Sequence, residues 1–198
     1  DQLPAIAQSR DDLVKRRGII DELNLDPNRK VVTFFSQPLS LKGSFPYNEF
    51  EVLDLIVSAL QPLEDTFQLV VKDHPRAATL AEPHVSYGLY TAEYPADDLF
   101  VVSDVVLGMS TTQLMYAALL GIPSFSIQPG QGSETDCNLL TRLKRTPVIQ
   151  SDLELRNYLG ALDSFTHPKI EELTKYCDGK SCYRIERLMR EVLKADYE

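Results

Sequence analysis

Residues 99–130, LFVVSDVVLGMSTTQLMYAALLGIPSFSIQPG, constrain the fold more than any other stretch. Asp104 to Leu107 read as a short buried strand that Gly108 and Met109 leave. Ser110-Thr111-Thr112 then open a helix, Gln113 to Leu120 fill it and Gly121 closes it. Ile122 to Ile127 supply a second apolar run. Parallel neighbours need a crossover connection, so this strand–turn–helix–turn–strand series is the repeating unit of a parallel α/β sheet. Ligands of such sheets sit beyond the carboxyl ends of the strands. At that edge this stretch places three hydroxyls on a predicted helix N-terminus, a natural place for a phosphate.

The same character recurs upstream. Val31-Val32-Thr33-Phe34-Phe35-Ser36 and Phe67 to Lys72 are nearly continuous apolar runs without period-2 alternation. Such runs suit strands covered on both faces. Buried strands are therefore predicted at Val31–Ser36, Leu69–Lys72, Asp104–Leu107 and Ser124–Ile127, with shorter ones within Val85–Tyr90 and at Pro147–Ile149. Helices are predicted between them. Arg10–Leu25 carries Leu13, Val14, Arg17 and Ile20 partly on one face, and its Lys15-Arg16-Arg17 run reads as a solvated face. Glu49–Ala59 follows an Asn48 cap and buries a stripe of Phe50, Leu53, Val57 and Leu60. Asp97–Ser103 starts after Pro95, with Asp97 and Asp98 as first-turn carboxylates. Further helices cover Asn138–Lys144, Asp152–Leu159 with a Ser151/Glu154 capping box, a segment from Thr166 with His167 at or near its cap, and Ser181–Ala195. In the last, Ile185, Leu188, Met189 and Val192 form an apolar stripe that reads as core. The fold class is α/β: a Rossmann-like three-layer sandwich with a mainly parallel sheet. Residues 1–29 read as a helical extension, 30–164 as the sheet domain and 165–198 as helices packed on it.

Charge and cysteines narrow the function. With 29 acidic and 20 basic residues among 198, the net charge of −9 argues against a general nucleic-acid surface and leaves room for one local basic pocket. No apolar run reaches membrane-spanning length and no signal peptide is visible, so a cytoplasmic protein is expected, peripheral to a membrane only through segments outside this sequence. Three cysteines make no disulfide framework; Cys177 and Cys182 flank a short turn and read as free thiols before a pair, and Cys137 has no neighbouring histidine. The three histidines are scattered and form no metal-ligand pattern, and no P-loop or GxGxxG is present. No metal or cofactor is expected.

Four polar clusters each follow a predicted strand, and a parallel sheet brings them to one edge. They are Ser36-Gln37, Lys72/His74/Arg76, Ser110-Thr111-Thr112 and Gln128 to Glu134. His74 reads either as a packing residue or as a ligand contact. Its place after a strand, before Pro75 and between Lys72 and Arg76 favours the contact, since Pro75 biases His74 away from the helical region. Lys72 and Arg76 supply charge-assisted donors for a phosphate. If the strands before His74 and Ser110 are neighbours, one phosphate touches both. Glu134 stands equally as an acceptor for a ribose or sugar diol and as a helix cap. Asp104 reads as a turn or capping residue.

The patterns VVTFFSQP, LVVKDHPR, SDVVLGMSTTQLMYAALLGIP and QPGQGSE, over roughly residues 30–160, resemble the C-terminal, nucleotide-sugar-binding half of GT-B glycosyltransferases. Within that group they look most like bacterial capsule sialyl- or polysialyltransferases, teichoic-acid glycerophosphotransferases and UDP-GlcNAc 2-epimerases. The resemblance implies that His74, in its His-Pro motif, contacts the nucleotide or its phosphate, and that Ser110 and Thr111 bind phosphate. It implies a diol-holding role for Glu134 more loosely, because the spacing runs through a Gly-rich loop. The expected partner is a CMP-, CDP- or UDP-linked sugar used for cell-surface polysaccharide. A GT-B enzyme also has an acceptor-binding half, commonly the source of the catalytic base, for which this sequence has no room; no catalytic residue is assigned. The alternatives are a non-catalytic nucleotide-binding or assembly domain and an epimerase-like fragment.

Overall fold

The computed structural model describes residues 3–41, 45–74, 88–90, 93–130, 139–167 and 180–195. Among the described residues six strands form one sheet: β1 Lys30–Phe35, β2 Phe67–Lys72, β3 Gly88–Tyr90, β4 Val105–Gly108, β5 Ser124–Ile127 and β6 Val148–Ile149. Every pairing is parallel and the order is β3-β2-β1-β4-β5-β6. The order runs outward from β1 in one direction and from β4 in the other, so the chain reverses its course between β1 and β4. Such a reversal opens a crevice at the carboxyl edge. The four predicted strands are all present, and the two shorter ones appear as β3 and β6; residues 85–87 lie outside the described residues.

Successive residues of a strand point to opposite faces, so each buried strand feeds two cores. Val32, Phe34, Leu69, Val71, Leu107 and Phe125 pack under α3 (Glu49–Leu60) and α7 (Asp152–Gly160), against Val52, Leu53, Ile56, Leu155 and Leu159. Val31, Phe35, Val70 and Val106 pack on the other face under α4 (Ala96–Val102) and α5 (Gln113–Leu119). There they meet Leu99, Phe100, Leu114 and Ala117, with Ile6 and Ile19 adding an outer layer. The three-layer sandwich is the direct result of this double burial.

Local chemistry sets the helix ends. Asn48 caps α3 by accepting from the amides of Phe50 and Glu51, and the Glu51 carboxylate reaches back to the Asn48 amide. Gly121 adopts φ +73° just past the end of α5, a left-handed turn from which the chain reaches β5 through Ile122 and Pro123. Beyond a short helix α6 (Leu139–Arg142), Ser151 caps α7 through the Glu154 amide, while the Glu154 carboxylate takes the amide of Gln150 rather than that of Ser151.

Several helix faces differ from the sequence reading. The predicted helix Arg10–Leu25 is two helices, α1 Leu3–Asp11 and α2 Leu13–Glu22. Asp12 breaks them because its carboxylate accepts from the amides of Val14 and Lys15 and starts a new helix. The break rotates the buried face. Leu13 and Val14 are exposed, whereas Leu3, Ile6, Ile19 and Leu23 are buried. Nor is the Lys15-Arg16-Arg17 run simply solvated. Arg16 donates to the Val101 carbonyl and to Asp104, and Lys15 pairs with Asp98 at 2.9 Å. In α3 the buried stripe is Val52, Leu53, Ile56, Ala59 and Leu60, and Phe50 turns outward. The terminal helix α8, Ser181–Ala195, leaves Ile185, Leu188 and Met189 exposed, so its apolar stripe is not core among the described residues. Cys182 is free and exposed.

Candidate functional site

The carboxyl edge of the sheet gathers the residues just beyond each strand. Gln37 stands after β1, Asp73 and His74 after β2, Met109 to Thr112 after β4 and Gln128 after β5. Residues 75–87 and 131–138 lie outside the described residues, and with them the predicted contacts Arg76 and Glu134.

The crevice between β1 and β4 is bridged by one side chain. Gln37 Oε1 accepts the Ser110 backbone N–H at 2.7 Å and lies 3.4 Å from the Ser110 hydroxyl, which donates to it. Ser36, just before it, is buried, and its hydroxyl has no partner among the described residues. The first helical residue of α5 is Gln113, not Ser110, so the predicted opening of the helix is corrected by three residues. Thr111 Oγ1 accepts from the Gln113 amide, and Thr112, at the cap position, makes no side-chain cap bond. The Thr111 and Thr112 amides have no acceptor among the described residues. Ser110 and Thr111 are half-buried, and Thr112 is exposed.

Neighbouring strands hold this loop in shape. Gly108 ends β4 where a Cβ would stand 2.5 Å from Thr111 Cγ2, so the chain turns tightly only because no side chain is there. On the far side the Met109 carbonyl accepts the Ser126 hydroxyl, and Ser126 Oγ in turn accepts from Gln128 Nε2 at 2.7 Å. Gln128 is therefore a buried residue whose amide is turned toward β5 and, through Ser126, toward the β4 loop.

Lys72 and His74 are brought to the same edge as Ser110, but not beside it. β2 pairs with β1, and β1 separates it from β4. At about 4.8 Å per strand spacing, the ends of β2 and β4 stand roughly 10 Å apart. The condition that the two strands be neighbours is thus not met: Ser36 and Gln37, which follow β1, stand in the interval, and His74 and Ser110 address two points along one groove. Lys72 is half-buried; burial lowers its pKa from the usual lysine value, while Asp73 and then Glu93 oppose that shift.

Two acidic residues that the sequence reading passed over are buried near this edge. Asp73 is 4% exposed, immediately before His74. Its signal was present, because a carboxylate directly continuing a buried strand is costly unless it does something there. Glu49, also buried, accepts both the amide and the hydroxyl of Ser40, tying the loop after β1 to the start of α3. Among the described residues no group of three or more His, Cys, Asp or Glu could hold a metal ion, and no helix is long and apolar enough to cross a membrane.

Solved structures share this fold. The wall teichoic acid polymerase TagF is similar with a TM-score of 0.62 and 19% identity, over 96% of this chain and 50% of that one. The E. coli ADP-heptose lipopolysaccharide heptosyltransferase II is similar with a TM-score of 0.53 and 12% identity, over 76% of this chain and 51% of that one. The glycosyltransferase of kitacinnamycin is similar at 0.50 and 16%, over 71% and 36%. The chain spans about half the length of the first two. No protein-family model matches the sequence, and no curated protein does. At these identities the likeness is one of fold: the neighbours are GT-B glycosyltransferases, and this chain has the Rossmann-like α/β fold of one half of such an enzyme.

Proposed function

We propose that this chain is the donor-binding half of a glycosyltransferase-like protein. It takes a nucleotide-activated sugar or polyol phosphate, CMP-, CDP- or UDP-linked, for cell-surface polysaccharide synthesis. The observation that carries the reading is the crevice between β1 and β4, with the Ser110 amide directed across it at Gln37. A diphosphate laid along the carboxyl edge meets Lys72 and His74 at one end, and Arg76, two residues on in the sequence, adds a cationic donor. At the other it meets Ser110, Thr111, Thr112 and their amides, with Ser36 and Gln37 between. Gln128 supports the β4 loop, and Glu134 is the acceptor for a sugar or ribose diol. The cationic and N–H donors stabilise phosphate charge as the sugar–phosphate bond breaks. The acceptor and the catalytic base belong to a second lobe, for which the greater length of the similar structures argues.

Calorimetric titration of the folded chain with CMP, CDP, UDP and their sugar conjugates tests this. One of the cytidine or uridine diphosphates is expected to bind. His74→Ala should weaken it by about 1–3 kcal/mol, the range for a lost hydrogen bond to a charged group, and Ser110→Ala by less because the backbone donors remain. Because both side chains hold the same diphosphate, the two losses should be coupled rather than additive in the double mutant. Binding without turnover, even when an acceptor lobe from a similar enzyme is supplied, would favour a non-catalytic nucleotide-binding domain. A folded chain that binds none of these nucleotides sinks the proposal.

A further inference from the structure

Resting on that reading, we infer that Gln37 is an internal stand-in for the phosphate and sets which anions the crevice accepts. Its carbonyl oxygen occupies the one acceptor position to which both the Ser110 amide and the Ser110 hydroxyl point. The direction of that amide does not depend on Gln37. The loop is independently fixed by the Ser126 hydroxyl on the Met109 carbonyl, by the Gln128 amide behind it, and by the contact of Thr111 with Gly108. Next to Gln37 in the chain, Ser36 keeps a hydroxyl that has no partner among the described residues, on a side chain 4% exposed. A buried hydroxyl left without a partner is a cost, and it is relieved when an oxygen or water arrives with a ligand.

A carboxamide oxygen is neutral, and hydrogen bonds to an anionic oxygen are roughly twice as strong as bonds between neutral groups. A phosphoryl oxygen therefore takes the Ser110 N–H in exchange for Gln37 Oε1, and the freed carboxamide can turn its Nε2–H toward the same anion. Because Gln37 is tethered beside its target, it competes at a high effective concentration. A lone orthophosphate gains too little elsewhere to displace it. A nucleoside diphosphate, held also by its other phosphate and its base, gains enough. The side chain thus discriminates against free phosphate at a site built for phosphate esters.

The test uses the full 198-residue chain, with orthophosphate, CDP and UDP as probes in calorimetry. Gln37→Ala and Gln37→Leu are two ways of removing the acceptor, the second keeping most of the volume. Both should tighten orthophosphate at least 5-fold and the preferred nucleoside diphosphate by a smaller factor. Gln37→Glu, which sets a carboxylate against the Ser110 amide, should weaken both by 10-fold or more. The Ser110 amide resonance should move on nucleotide addition to the wild type and start from a shifted position in Gln37→Leu. A wild type that binds CDP or UDP while neither neutral variant tightens orthophosphate overturns the stand-in role and leaves the donor-binding reading intact. Absence of binding by the wild type and by both neutral variants overturns the two together. Binding of CDP or UDP by the neutral variants but not by the wild type overturns the exchange, because a nucleoside diphosphate then fails to displace Gln37. Thermal melts of all four proteins establish that each is folded.

Discussion

At the scale of single residues, the site depends on what is missing at position 108. Gly108 lets the Thr111 methyl sit where a side chain would be, and this places the Ser110 amide over the crevice. Gly108→Ala is expected to destabilise the domain by about 1–3 kcal/mol, as overpacking of a tight site does, and to weaken nucleotide binding with it. Thr111→Ser removes the offending methyl, so the double mutant should recover most of the stability. Urea denaturation of the two single mutants and the double reads this, and a double mutant as unstable as Gly108→Ala would refute the contact. The polar residues of the edge are legible in sequence because each stands after a strand. What they touch is not. Gln128 and Gln37 look alike in sequence, yet one turns back onto Ser126 and the other reaches across to Ser110. That choice is made by strand order and by neighbours distant in the chain.

At the scale of elements, strands are easier to read than helix faces. A strand buried on both sides announces itself as an unbroken apolar run, as Val31 to Phe35 do. A helix face depends on where the helix starts, and one capping aspartate, Asp12, is enough to turn Leu13 and Val14 to solvent. The docking of α1 and α2 is carried by polar reach as well as by apolar area. Arg10 donates to the Phe100 and Ser103 carbonyls and Arg16 to that of Val101, at the end of α4 where carbonyls lack helical partners. Asp104 joins them, accepting the Val31 amide as well as the Arg16 guanidinium. At the other end of α4, the Tyr94 phenol donates to Glu22 of α2 at 3.0 Å. Burial, then this bond and the charges of Glu22 and Asp98, push the Tyr94 pKa up to about 12. A folded-state pKa above the unfolded value of about 10 means the contribution is whole below pH 10 and is lost as the pH climbs toward 12. The stability difference between wild type and Tyr94→Phe should therefore narrow over that window and stay constant between about pH 7 and 9. Denaturation midpoints of the pair measure it, and a gap that widens above pH 10 would contradict the assignment.

At the scale of the whole molecule, the sheet order is the part that sequence could not supply. Local runs specify that strands exist; which strands become neighbours is decided by crossovers and by packing on both faces. Hence the carboxyl edge is foreseeable as one surface, while the place of β1 between His74 and Ser110 is not. His167 shows the same limit. Its sequence context suggests a cap for a helix that falls outside the described residues, and its ring nitrogens lie 2.9 Å from the Ile122 carbonyl and 3.0 Å from that of Arg145, contacts that the context does not foretell. These carbonyls stand ahead of β5 and β6, at the sheet edge opposite the site. His167→Ala should cost about 1–3 kcal/mol by leaving a buried carbonyl without its donor. Nucleotide affinity at 25 °C should be unchanged, which separates this tie from any part in binding.

The position of β1 also bears on how the molecule comes into being. Of the six strands it is the first to leave the ribosome, and it is central in the finished sheet, with β2 on one side and β4 on the other. During synthesis its two ladders of amides and carbonyls wait for partners, one until Lys72 has emerged and the other until Gly108 has. An apolar strand with both edges open is a template for mispairing. The nascent chain is thus most vulnerable to aggregation before the β4 segment appears, and a chaperone that shields Val31 to Phe35 over that interval would raise the yield of folded protein more than one acting after release.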